Sequence, residues 1–159
     1  YYFFMKYFLI IFFIISSNLF AEEFSWDSTS VISKVHETSL PNGEKHTSFK
    51  SNGGMTFSSG KYGIASCSGL RTDKKKKLIE VRTICSIEIN DGNKLWTELR
   101  RDKGESTAGV GNIVVVDATG PYIELVNKKC VYAFTRFNEM YFGKTKCSID
   151  KDSLKILIK

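Results

Sequence analysis

The four cysteines of this 159-residue chain are the residues whose spacing implies chemistry most directly, and that chemistry is oxidation to disulfides. Cys67 and Cys85 lie equally far from Lys76, inside the polar stretch Thr72 to Lys77, while Cys130 and Cys147 lie symmetrically about Asn138-Glu139. Residues placed symmetrically about a hairpin turn face each other across two strands, with Cα atoms about 4.5–5.5 Å apart, inside disulfide reach. The spacing predicts two cross-strand disulfides, Cys67 with Cys85 and Cys130 with Cys147, with the other two pairings of four cysteines as the alternatives. No C-x-x-C spacing occurs, which disfavours a redox or metal role.

Other reactive groups are sparse. His36 and His46 flank Pro41-Asn42-Gly43, so a hairpin brings them together. Two imidazoles without a fixed carboxylate make a poor metal site, and neither a metal nor a cofactor is expected. The serines lack the glycine frame of a nucleophile elbow. Gly109-Val110-Gly111 lacks the third glycine and following helix of a dinucleotide site.

A more informative set is Trp96, Glu98 and Arg100, which alternate along one strand. A two-residue turn at Asp91-Gly92 sets Trp96 opposite Ile87 and Glu98 opposite Cys85, which turns the set inward. Glu98 and Arg100, with Tyr132 and Arg136, then line a polar lumen suited to an anionic or hydroxylated ligand. A three-residue loop, Asp91-Gly92-Asn93, instead pairs Leu95 with Ile89 and Leu99 with Cys85 and leaves the set outside. The second register is preferred, because burying unpaired charge costs several kcal/mol. Lys74, Lys75, Lys76 and Lys77 form the densest charge run, either a solvated loop or a contact for an anionic envelope component. Arg100, Arg101 and Lys103 make a second basic cluster.

The elements that position these groups read as strands. Hydrophobicity alternates with period two and is broken at short intervals by Gly, Asn and Asp, the pattern of an antiparallel all-β domain. Expected strands are Trp26 to His36, His46 to Lys50, Gly54 to Ser58, Tyr62 to Arg71, Leu78 to Asn90, Lys94 to Arg101, Val110 to Asp117, Tyr122 to Val126, Cys130 to Phe137, Met140 to Ile149 and Leu154 to Ile158. Turn signals are Pro41-Asn42-Gly43, Asn52-Gly53, Asp91-Gly92-Asn93, Thr119-Gly120-Pro121 and Asn138-Glu139. With short segments merged the count is about eight, which suits a closed barrel, an open sandwich being the alternative.

The cysteine registers extend to their neighbours. Cys67 opposite Cys85 sets Gly63 against Ile89, Ala65 against Ile87, Gly69 against Thr83 and Arg71 against Val81. Cys130 opposite Cys147 sets Tyr132 against Thr145 and Phe134 against Gly143. All four cysteines then point inward. Glycines opposite large residues suit a sheet curving onto itself, since a side chain can fold over the bare position.

Met5-Lys6, the apolar run Tyr7 to Ile15 and a cleavage region Ser16-Ser17-Asn18-Leu19-Phe20-Ala21 read as a secretory signal segment, with an uncleaved anchor as the alternative. Residues 22–159 then form a single domain. Setting aside residues 1–21 removes one charge, Lys6, and takes the formal balance from +6 to +5. That excess keeps a domain soluble. An oxidising compartment, periplasmic or extracellular, and the lack of a basic helical motif argue against nucleic acid.

Gly109-Val110-Gly111, Ala118-Thr119-Gly120-Pro121-Tyr122, Leu125 and Cys130-Val131-Tyr132 resemble the glycine-punctuated hairpins of small exported barrels related to allene oxide cyclase and dirigent proteins. The chain departs from that pattern at Asn127, where glycine is usual, and in its two cysteine pairs. The resemblance implies a calycin-type barrel holding an apolar ligand or reactive intermediate in its lumen, and assigns no chemistry. The expected function is non-enzymatic binding of a small apolar or amphipathic molecule. The alternatives are a lumenal isomerase or cyclase using Glu98 or Tyr132, and docking on an anionic surface through Lys74 to Lys77.

Overall fold

The structure, a computed structural model, describes residues 21–105 and 107–159. Except for Ala21, the expected signal segment lies outside the described residues. Eight antiparallel strands form a closed barrel in which sequence neighbours pair and the last strand returns to the first. They are β1 (Glu22–Ser39), β2 (Glu44–Phe57), β3 (Tyr62–Lys74), β4 (Lys77–Ile89), β5 (Lys94–Gly104), β6 (Ala108–Ala118), β7 (Lys129–Phe137) and β8 (Met140–Ile149).

Both disulfides form as the spacing predicts, Cys67 with Cys85 and Cys130 with Cys147. Their hairpins carry the expected registers, including Gly63 with Ile89 and Arg71 with Val81 on β3–β4, and Phe134 with Gly143 on β7–β8. Paired cysteines of this kind suit an oxidising compartment outside the cytoplasm. No helix of the described residues is long and apolar enough to cross a membrane.

Curvature comes from bare inward positions under aromatic rings. A β-carbon on Gly111 would stand 2.5 Å from Tyr132 Cε1, and Gly69 lies beneath the Phe49 ring in the same way. Each ring faces its glycine across the ladder, Tyr132 with Gly111 and Phe49 with Gly69. The rings fold flat against the wall there and let the sheet bend.

Four sequence expectations are corrected. Asn52-Gly53 is not a turn: it lies within β2, which joins two predicted strands into one of 14 residues. Tyr122 to Val126 is not a strand, because Gly120–Leu125 forms a 3-10 helix with Pro121 in its first turn, where the missing N–H is no loss. Leu154 to Ile158 is not a strand either, since Lys151–Leu157 forms a short helix, α1. Its cap decides this: Asp150 accepts from the Ser153 N–H at 2.9 Å and from its Oγ at 2.8 Å. Those bonds hold the Asp150 carboxyl down at about 2.

The fourth correction concerns β4–β5. The loop has three residues, but they are Asn90-Asp91-Gly92, closed by the Ile89 N–H bonding to the Asn93 carbonyl. Leu95 therefore faces Ile87 and Thr97 faces Cys85, two places from the preferred register. A shift of two leaves every side chain on the same face.

The main core lies at the barrel end where β1, β3, β5 and β7 begin. Phe57 stacks on Phe24 (6.0 Å) and meets Trp26 (5.9 Å) and Tyr122 (5.8 Å) at a tilt. Tyr122 and Leu125 from the 3-10 helix and Leu157 from α1 are fully buried there and seal this end. The Ser153 Oγ that reaches Asp150 also lies 2.7 Å from Glu124 Oε2, so its one proton is shared between the two carboxylates and links the two helical segments. The other end is open.

Candidate functional site

Above the sealed floor the lumen is a cavity of about 670 Å³. Its lower walls are mainly apolar, with Trp26, Met55, Ala65, Ile87, Leu99 and Ile113 all facing it beside the hydroxyl residues Ser51, Thr97 and Thr145, and the Cys67–Cys85 disulfide lies in the same wall. Cys130 and Cys147 are buried in the floor instead. This depth order follows from the strands. Inward positions of β4 run Ile89, Ile87, Cys85, Thr83 and Val81 from floor to mouth, and those of β5 run Leu95, Thr97, Leu99 and Arg101 beside them.

One wall is aromatic and cationic. Tyr132 stacks on Phe134 at 6.3 Å, and Phe134 meets Tyr141 at 5.8 Å. The Arg101 guanidinium lies 4.7 Å from the Phe134 centroid and that of Arg136 lies 5.6 Å from Tyr141, within range of the attraction between a cation and a ring face. Burial pushes the Tyr132 hydroxyl up to about 12, with the Arg101 charge pulling weakly the other way. The phenol is thus neutral across the physiological range.

Charges at the mouth are mostly paired. Glu37 accepts from Lys34 (2.6 Å) and Lys45 (3.0 Å), and those contacts hold its carboxyl below the usual range. Arg71 grips both oxygens of Asp73, Nε to Oδ2 at 2.6 Å and Nη2 to Oδ1 at 2.7 Å. Arg136 Nε donates to the Asn138 carbonyl at 2.6 Å. Arg101 differs: it is buried, its Nη1 donates to the carbonyls of Glu105 (2.9 Å) and Ala108 (3.2 Å), and its Nε has no partner among the described residues. Deeper on the same strand, Thr97 Oγ1 is also buried without a partner among those residues.

The structure divides the candidate lumenal set as the preferred face of β5 expects. Tyr132 and Arg136 line the cavity. Trp96, Glu98 and Arg100 do not: they occupy the outer face, where Trp96 pairs with Ser86 and Glu98 with Ile84. There Arg100 and Arg82 bond Glu98 and hold its carboxyl below the usual range. His36 and His46 also face outward, bonded to Thr38 and Thr72 at 3.1 Å each. Among the described residues no group of three or more metal-binding side chains occurs. Lys74 to Lys77 span the β3–β4 turn at the mouth end, with Lys74 paired to Glu44 at 3.0 Å.

Sequence reasoning missed Arg101 by grouping it with Arg100 and Lys103 as surface charge. The signal was present: once Leu95 and Leu99 face inward, Arg101 is the next inward position. No protein-family model matches the chain, nor does any curated protein or solved structure.

Proposed function

We propose that this is an exported, non-enzymatic binding protein that takes a small apolar or amphipathic molecule into its lumen, in the periplasm or outside the cell. The observation that carries the reading is the cavity itself: about 670 Å³, sealed at the floor, open at the mouth and mainly apolar in its depth, with a few hydroxyls such as that of Thr97. Ligand pockets typically span about 300–1,000 Å³ with mostly apolar walls and a few placed polar groups. The isomerase or cyclase alternative draws little support from the geometry. Glu98 is outside the barrel, the Tyr132 phenol stays protonated, and of the three carboxylates lining the cavity Glu37 and Asp73 are engaged by lysines and arginine while Glu139 is exposed at the β7–β8 turn.

The neutral fluorophore N-phenyl-1-naphthylamine tests this. Saturable one-to-one uptake is expected. Ala65→Trp, which fills the lumen from its wall, is expected to weaken uptake about tenfold or more with the far-ultraviolet spectrum unchanged. Absence of saturable uptake by the native protein, or full uptake by the filled variant, would overturn the reading.

A second reading, docking of the mouth on an anionic surface, is favoured by placement. Lys74 to Lys77 span the β3–β4 turn and Lys103 lies in the last residues of β5, all at one end of the barrel, the end that also exposes Leu40 and Phe137. Vesicles of anionic phospholipid should retain the protein in low salt and release it in high salt. Retention that survives replacement of all four lysines at 74–77 would end this reading.

A further inference from the structure

Cations lining the described cavity outnumber carboxylates five to three. Glu37 serves Lys34 and Lys45, and both oxygens of Asp73 serve Arg71. The arginine–carboxylate pairs among the described residues belong to Arg71, Arg82 and Arg100. Arg101 is the exception that is also buried, at 6% exposure. Its two carbonyl partners supply dipoles but no counter-charge. A guanidinium withdrawn from water without an anion is strongly disfavoured, and burial lowers its pKa without removing its charge.

The fold nonetheless builds a seat for it. Gly109 presents bare backbone against the guanidinium, where any β-carbon would collide with Nη1, and Phe134 supplies a ring face on the same side. Below Arg101 the same lumen turns mainly apolar through Leu99, Ile113 and Met55, with the Thr97 and Thr145 hydroxyls between them. A seated cation above an apolar shaft is the complement of a molecule with the opposite sign at one end and hydrocarbon along the rest.

We propose that the lumen selects an anionic, single-tailed amphiphile, whose oxyanion head pairs with Arg101 and whose tail lies along Leu99, Ile113 and Met55 toward the floor. A planar guanidinium suits an oxyanion, because two parallel N–H donors match two oxygens. This rests on the lumenal binding reading above and adds the charge of the ligand to it.

Dodecanoate, dodecanol and dodecyltrimethylammonium share a tail and differ in head, so their affinities, measured by displacement of the fluorophore, separate the two levels. The native protein is expected to prefer dodecanoate to dodecanol by about tenfold or more at low salt, with the cationic amphiphile weakest. Arg101→Met should erase that preference while leaving dodecanol within about threefold of its native affinity. Arg101→Lys, which restores the charge without the fork, should recover part of the preference. Equal binding of dodecanoate and dodecanol by the native protein, a comparison that needs no variant, overturns the anionic head while leaving lumenal binding intact. A preference that persists in Arg101→Met overturns the role of Arg101. Failure of all three to bind overturns the lumenal reading itself.

Discussion

Replacing Cys130 and Cys147 together by alanine is expected to lower the unfolding free energy by about 3 kcal/mol, because the bridge closes a short loop in the unfolded chain. The two residues are 17 positions apart. Their sulfurs also sit in the sealed floor with essentially no exposure, so the variant loses packing as well, about 1 kcal/mol more. Against a total of about 5–15 kcal/mol for a typical domain this is a large share. Urea unfolding of the oxidised variant measures it, and a loss below about 1 kcal/mol would show that the floor tolerates the gap. The Cys67–Cys85 bridge gives an internal comparison. It spans 18 residues, so its loop contribution is similar, but it lines the open lumen. A small thiol should therefore reduce Cys67–Cys85 first, since exchange requires access to sulfur.

Gly53→Ala is expected to destabilise by about 1–3 kcal/mol, while the adjacent Gly54→Ala stays within about 0.5 kcal/mol of the native protein. A β-carbon at Gly53 would meet the Thr29 main-chain carbonyl and stand 2.6 Å from the Ser30 Cβ. Backbone on a paired strand cannot step aside as a side-chain tip can, so β1 and β2 must part locally. At Gly54 the nearest atom to such a carbon is the Gly63 carbonyl oxygen, 4.0 Å away. Thermal unfolding of the two single variants tests the contrast, and equal midpoints would contradict the close approach of β1 to β2 at this point.

These two glycines show where the sequence was readable and where it was not. Asn52-Gly53 has turn chemistry, and nothing local reveals that Gly53 is needed because another strand presses on it. The cysteine hairpins were legible because each register was marked from both sides, by Cys67 and Cys85 and by Cys130 and Cys147. The β4–β5 register had no such mark. Its faces could still be assigned from Leu95 and Leu99, since burying leucine and exposing Glu98 and Arg100 decides parity, though not the offset of two residues. Short segments carried the least information. Leu154, Ile156 and Ile158 alternate as a strand does, but Leu154 and Leu157 also share a helical face, and the Asp150 cap decides between them. In the candidate site, Tyr132 and Arg136 were placed in the lumen through the β7–β8 register. Arg101 was legible by the same parity that turns Leu95 and Leu99 inward, and its charge among Arg100 and Lys103 hid it.

The central claim is that a ligand enters the barrel rather than resting on its outer face, which exposes Ile64, Leu70 and Ile84. Intermolecular nuclear Overhauser effects from dodecanol to methyl-labelled protein discriminate directly between the two surfaces. Contacts to the methyls of Met55, Ile87 and Ile113, which line the cavity, are the predicted result. Contacts confined to Ile64, Leu70 and Ile84 would contradict it.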